Sequence, residues 1–137
     1  MSKKIIAVIP VKKNSERVKN KNFRKFYKNL SLFQIKLIQL VRSKQFDRII
    51  VSSDSLDARK ISAKYNGVEF YYREKKFCNN KISWSNVINE VLDGKEINKE
   101  DIISWCHVTS PFFKNYKSML EKFKKCKKND SMLTLQE

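Results

Sequence analysis

Lys4-Ile5-Ile6-Ala7-Val8-Ile9-Pro10-Val11-Lys12-Lys13-Asn14-Ser15-Glu16-Arg17-Val18-Lys19-Asn20-Lys21-Asn22 is the stretch on which the fold turns. Its first part is a short unbroken apolar run closed by Pro10. Such a run reads as a strand covered on both faces, the signature of a parallel sheet. The remainder has neither a helical nor a strand period. Residues 11–30 hold eight basic side chains (Lys12, Lys13, Arg17, Lys19, Lys21, Arg24, Lys25, Lys28) and one acid, Glu16. A loop of this length inside a compact domain is functional or disordered.

Outward from this stretch, apolar segments of two kinds alternate. Ser31-Leu32-Phe33-Gln34 has the form of a capping box and opens a helix through Leu37, Ile38 and Val41. Residues 46–51 read as a second buried strand, ending in Ser52-Ser53-Asp54-Ser55, whose small polar side chains can cap a helix over 56–65. Gly67 stops that helix, and 68–71 make a third strand. A polar connector over 73–81 precedes Trp84, Val87, Ile88, Val91 and Leu92, spaced as one helical face. A fourth strand over 101–106 leads into Thr109-Ser110-Pro111. A helix bearing Tyr116, Met119, Leu120 and Phe123 comes next, then a fifth strand over 132–135. Strictly alternating strands and helices predict a single α/β domain over 1–137: three layers, α/β/α, Rossmann-like, around a mostly parallel sheet. Ligands of such sheets lie beyond the carboxyl ends of the strands. The segments 10–30, 52–55, 73–83 and 107–111 all fall there, which predicts a pocket.

Composition narrows the contents. The 137 residues carry 30 Lys+Arg against 14 Asp+Glu, a formal charge of +16. Lys outnumbers Arg 24 to 6 and there are 12 Asn, a bias that an AT-rich coding sequence would produce. Nucleic-acid readers favour the Arg fork beside stacking aromatics, and neither is concentrated here. An acidic small molecule is therefore the expected ligand. No apolar run approaches the roughly 20 residues of a membrane span, and the first residues lack a secretory h-region, so a cytoplasmic protein without membrane contact is expected. Cys78, Cys106 and Cys126 are odd in number and without metal spacing, which fits reduced, structural thiols.

The loop after the first strand is not a P-loop, for it contains no Gly. It resembles instead the N-terminal signature of the acylneuraminate cytidylyltransferase (CMP-sialic acid synthetase) family, roughly I-P-A-R-x-x-S-K-x-x-x-x-K-N. Further likenesses occur in order. Phe46-Asp47-Arg48-Ile49-Ile50-Val51-Ser52-Ser53-Asp54 is similar to F-D-x-I-I-V-S-T-D, Arg73 with its connector to R-P-x-x-L-A-x-D, and His107-Val108-Thr109-Ser110-Pro111 to Q-x-T-S-P. The resemblance implies a nucleotide-diphospho-sugar transferase fold, incomplete at its C-terminus because family members run considerably longer. It implies transfer of CMP from CTP to an acidic nine-carbon, sialic-acid-like sugar with release of pyrophosphate, for surface glycan synthesis. It further implies Mg²⁺ and a homodimer for the full-length form. By the same resemblance Lys12 and Lys21 lie beside the triphosphate, Lys21 countering charge on the departing pyrophosphate, and Asn22 reads nucleotide or ribose. Asn14, Ser15 and Arg17 complete the phosphate side. Arg73, with Ser83 and Asn80, forms the cytosine end, and His107 faces the sugar. Glu16 stands where the family has a phosphate-binding Lys, an inverted charge. The metal ligands of the family come after the point where this chain stops, so no metal ligand is assigned here, Asp54 being the nearest candidate.

Each residue has a plainer role available. Asp54, with Ser53 and Ser55, suits an N-cap, and capping is its expected role. Lys12 and Lys21 suit a solvated loop, Arg73 an ion pair with Glu69 or Glu74, and His107 a backbone hydrogen bond. Trp84 and Trp105 suit the core, and the seven Lys over 114–128 suit a solvated helix face. Two rival functions remain beside the transferase: a nucleotide-binding module without catalysis, and a basic nucleic-acid-binding domain.

Overall fold

The computed structural model describes residues 3–13, 21–74, 82–126 and 131–132, apart from the side chain of Trp84. Four strands, β1 (Ile5–Val11), β4 (Arg48–Ser53), β5 (Val68–Tyr72) and β6 (Ile102–Trp105), form one sheet in the order β5-β4-β1-β6. Every pairing in it is parallel. Four helices connect or follow the strands: α1 (Leu32–Ser43), α2 (Leu56–Ser62), α3 (Trp84–Gly94) and α4 (Tyr116–Lys125).

Side chains alternate across β1 and so sort the helices into two layers. Ala7, Ile9 and Val11 join Phe33, Leu37 and Leu40 of α1, Ala58 of α2 and Tyr116 of α4 in one core. Ile6 and Val8 point the other way, into a smaller core with Ile50 and Val91 of α3, against which Trp105 packs. The three-layer α/β/α architecture is thus present, and Trp105 has the core role open to it. Among the described residues, none of the helices is long and apolar enough to cross a membrane.

Local chemistry explains the helix starts. Ser31 Oγ accepts from Gln34 N at 3.2 Å while Gln34 Oε1 accepts from Ser31 N at 3.0 Å, the reciprocal box expected from sequence. Gly67 sits at φ +79°, the left-handed conformation that lets the chain leave the α2 region and enter β5. At the amino edge of the sheet Asp47 Oδ2 accepts from Ile5 N and Asp101 Oδ1 from Lys4 N, so both carboxylates tie off the start of β1.

Several boundaries differ from expectation, the second strand among them, which runs Arg48–Ser53 rather than 46–51. The segment 11–30, read as lacking strand character, contains an antiparallel hairpin, β2 (Lys25–Tyr27) with β3 (Leu30–Ser31). Its turn places Lys28 and Asn29 at φ +49° and +62°, a two-residue left-handed geometry that sequence signals with Asn-Gly rather than Lys-Asn. Helix α2 ends at Ser62, short of the expected 65. Met132, the first residue of the expected fifth strand, belongs to no strand, and 133–135 lie outside the described residues.

β1 also continues through Pro10 to Val11, although a proline in a central strand removes a ladder donor. Direction resolves this. Lys4 O and Val8 O accept from Ile102 N and Cys106 N, whereas Ile5 O accepts from Asp47 N. Even-numbered positions of β1 therefore face β6, and odd-numbered positions face β4. β6 pairs only as far as Val8↔Trp105, so the missing donor of Pro10 points to a side where the ladder has already ended. That gap, between strands running to opposite sides of β1, is the switch point of the sheet.

The β4–β5 edge is fastened to α3 by charge. Arg48 Nε and Nη2 each donate to Glu69 at 2.8 Å, and Lys95 Nζ lies 3.4 Å from the same carboxylate. The hydrogen bond from Arg48 holds the Glu69 carboxyl below its usual range. A depressed carboxylate pKa stabilises the fold above the unfolded value and loses that contribution as pH falls through the folded one. Because the pair is partly solvated, Glu69→Gln should cost only about 1 kcal/mol at pH 7, a few degrees in Tm. Circular-dichroism melts at pH 7 and pH 3 check this, the two proteins converging at the lower pH.

Candidate functional site

At the carboxyl edge the strands end in register. Val11 pairs with Ser53, and Ser53 with Tyr72, so Lys12, Asp54 and Arg73 come next on three adjacent strands. Asp54 Oδ1 accepts from Lys13 N at 2.8 Å, binding the end of β4 to the end of β1. Arg73 N donates to Ser53 O at 2.8 Å and extends the ladder one residue beyond β5. Its side chain is only 2% exposed, an unusual burial for a guanidinium and one that needs a polar surround.

Asn22 brings the later part of the basic loop back to this edge. Its Nδ2 donates to Lys12 O at 3.1 Å, and its own carbonyl accepts from Phe33 N at 3.2 Å in the first turn of α1. Phe23 packs on Phe33 with ring centroids 5.7 Å apart. Asn22 is buried, and its Oδ1 has no donor among the described residues. Lys21, one residue earlier, is half-buried at the same place. Lys12, Lys21, Asn22 and Arg73 therefore do converge, from three separate segments, on one edge. Asn14, Ser15, Arg17, Asn80 and the charge-inverting Glu16 lie outside the described residues.

One expected role changes and another gains a local function. Asp54 does not cap α2: the cap is Ser55, whose Oγ accepts from Ala58 N at 3.3 Å, while Asp54 serves the β1–β4 junction. Ser83, which the resemblance places at the cytosine end, is also the N-cap of α3 and accepts from Asn86 N at 3.3 Å. Among the described residues no three His, Cys, Asp or Glu side chains come together, and Asp54 already commits Oδ1 to Lys13.

The turn beyond β6 carries His107. Ser110 N donates to His107 O, and Phe113 N to Ser110 O, each at 3.3 Å, so 107–113 folds as two consecutive turns. His107 keeps an exposed face, yet the surrounding chain strips enough water to push its imidazole pKa down. These turns rest on α1 through a residue that sequence reasoning missed. Lys36 is 1% exposed, and its Nζ donates to Ser110 O at 2.8 Å, Phe113 O at 3.0 Å and Tyr116 Oη at 2.8 Å. One turn on, Gln39 Nε2 donates to Pro111 O at 2.6 Å. Burial pushes the Lys36 pKa down to about 8, with the electrostatic interaction with Cys106 acting in the other direction. The signal was available: Lys36 falls among Leu32, Phe33, Leu37 and Leu40, on the apolar face of α1, where a solvated Lys would not sit.

Replacing Asn22 with Ala removes the tie to Lys12. It should cost about 1–2 kcal/mol, seen as a lower urea midpoint at unchanged slope.

Residues 6–137 match the family model described as Cytidylyltransferase. The chain is 34% identical over 88 residues to post-translational flagellin modification protein B of Campylobacter coli, and 33% identical over 88 residues to CMP-N,N'-diacetyllegionaminic acid synthase of Campylobacter jejuni. Each alignment covers 64% of this chain and 37% of the relative, so the matched part spans little more than a third of those proteins. Over 131 residues, 94% of this chain, it is 24% identical to 25% of a Helicobacter pylori protein named as pseudaminic acid cytidylyltransferase and UDP-2,4-diacetamido-2,4,6-trideoxy-beta-L-altropyranose hydrolase. In fold it is similar to CMP:2-keto-3-deoxy-manno-octonic acid synthetase solved with CTP, at a TM-score of 0.70 and 15% identity, covering 90% of this chain and 48% of that one. It is also similar to 4-diphosphocytidyl-2C-methyl-D-erythritol synthase of Anaerococcus prevotii, at 0.63 and 19%, covering 93% and 52%.

Proposed function

The chain belongs to the cytidylyltransferase family, and from that premise we propose that it forms the nucleotide-binding part of an enzyme that joins CTP to a nonulosonic acid, a sialic-acid-like nine-carbon sugar, giving the CMP-sugar and pyrophosphate. The observation that carries the proposal is the convergence of Lys12, Lys21, Asn22 and Arg73 at the carboxyl edge, in the chain order of the family's motifs. Relatives named for diacetyllegionaminic and pseudaminic acids support the class of acceptor. Surface glycan synthesis, cytoplasmic location and a homodimer of the full-length form belong to the same proposal.

In this reading the anomeric hydroxyl of the sugar attacks the α-phosphorus of CTP. The oxygen–phosphorus bond to the sugar forms as the bond to the β-phosphate oxygen breaks, and the hydroxyl proton leaves with solvent. Catalysis of such a transfer is positioning and charge neutralisation. Lys12 and Lys21 supply cations where the triphosphate would lie, the second to the departing pyrophosphate. Lys12 keeps the charge of the family's Arg but not its two-pronged hydrogen bonding. Hydrogen bonds from Asn22 Nδ2 to Lys12 O and from Lys13 N to Asp54 Oδ1 fix the main chain from which Lys12 projects, beside Lys21. Arg73 sits across β4 from them, at the end proposed for the base.

Calorimetric titration with CTP, ATP and GTP tests the reading. CTP should bind selectively, and Lys21→Ala should weaken it at least tenfold, about 1.4 kcal/mol. Equal binding of all three nucleotides by both proteins would refute it. CTP binding without pyrophosphate release, given Mg²⁺ and a panel of nonulosonic acids, would mark a binding module instead.

A further inference from the structure

We propose that Lys36 is a positioning residue for the sugar side of the site: its buried ammonium fixes the turns that carry His107, while the nucleotide side is held by a separate contact in the first turn of the same helix. The assignment of a sugar side rests on the function proposed above; the clamp itself does not.

A fully buried ammonium is costly unless each of its three donors is satisfied. Lys36 satisfies all three, on Ser110 O, Phe113 O and Tyr116 Oη. Two of the acceptors are main-chain carbonyls of the segment beyond β6, and the third begins α4, so the cation gathers chain that has no sheet ladder to hold it. The path to His107 is short. Ser110 O accepts from Lys36 and Phe113 N together, and Ser110 N donates to His107 O. Gln39 adds Pro111 O, so carbonyls 110, 111 and 113 are all held from one face of α1. The first turn of α1 meanwhile holds Asn22 through Phe33 N. A hydrophobic residue at 36 would fill the volume and leave two turn carbonyls without that donor.

The charged and titratable groups facing Lys36 are the Tyr116 hydroxyl of α4 and the Cys106 thiol after β6. Burial raises the pKa of both, so neither titrates near that of Lys36.

His107 is the single histidine of the chain, so its ring resonances report on these turns without further labelling. In Lys36→Met we expect the His107 ring cross-peak to move toward its random-coil position and the 110 and 113 amides to exchange at least tenfold faster. Affinity for CTP should stay within twofold. If the protein turns over N-acetylneuraminic acid, its KM should rise several-fold while KM for CTP does not. An unmoved His107 signal and unchanged exchange in a folded variant would overturn the proposal and leave Lys36 a packing residue. Should Lys36→Met not fold, Lys36→Gln decides: its amide cannot serve all three acceptors at once, so the same movement of the His107 cross-peak and faster 110 and 113 exchange are expected, and an unmoved signal with unchanged exchange would overturn the proposal. Absence of CTP binding in both proteins would refute the proposed function and leave the His107 result standing.

Discussion

A backbone removed from water on both faces must find all its hydrogen bonds in its neighbours, and β1 is in that position. Ile6, Ala7, Val8 and Ile9 are 0% exposed, so neither solvent nor a side chain can replace a lost ladder. This obligation fixes β4 on one side and β6 on the other, and it recruits Asp47 and Asp101 to close the amino edge. Since β4 in turn fixes β5, three strand ends arrive level at Val11, Ser53 and Tyr72. The convergence of Lys12, Asp54 and Arg73 follows from register, not from attraction among their charges.

Helix α1 is the second organising element, and polar contacts more than apolar ones give it that role. Its apolar face would tolerate small rotations at little cost. Its main-chain bond to Asn22 in the first turn, and the Lys36 and Gln39 contacts along its middle, would not. The basic loop and the turns beyond β6 are far apart in sequence and lie on opposite sides of the switch point, yet both are referred to one rigid body. A site assembled from loops gains precision in this way without any loop being stiff by itself.

Much of this was legible in the sequence, for definite reasons. The buried strands announced themselves as short apolar runs, α1 by its capping box, α3 and α4 by their apolar stripes. The place of the site followed from strand order alone. The hairpin did not announce itself, because a Lys-Asn turn carries none of the glycine that ordinarily marks left-handed geometry. Asp54 and Ser55 compete for one cap with equal local credentials, and only the proximity of Lys13 N, a contact 41 residues away in the chain, separates them. Phe46-Asp47 looked like part of a functional motif; the structure gives Asp47 a scaffold role at the far edge from the site. Lys36 was hidden by abundance, since in a chain with 24 lysines one more drew no notice, despite its place on an apolar face.

The proline of β1 bears on a different kind of error. Alternating faces protect a strand against sliding by one residue, because that would turn its core side chains outward, but they are blind to a slide of two. β6, with four residues and three large apolar ones, could shift by two toward the carboxyl end and still present acceptable faces. Such a shift would bring it alongside Pro10, where the donor it needs does not exist. The residue that looks like a flaw in a central strand thus discriminates against a two-residue slide toward the carboxyl end, a misalignment that hydrophobic pattern cannot detect.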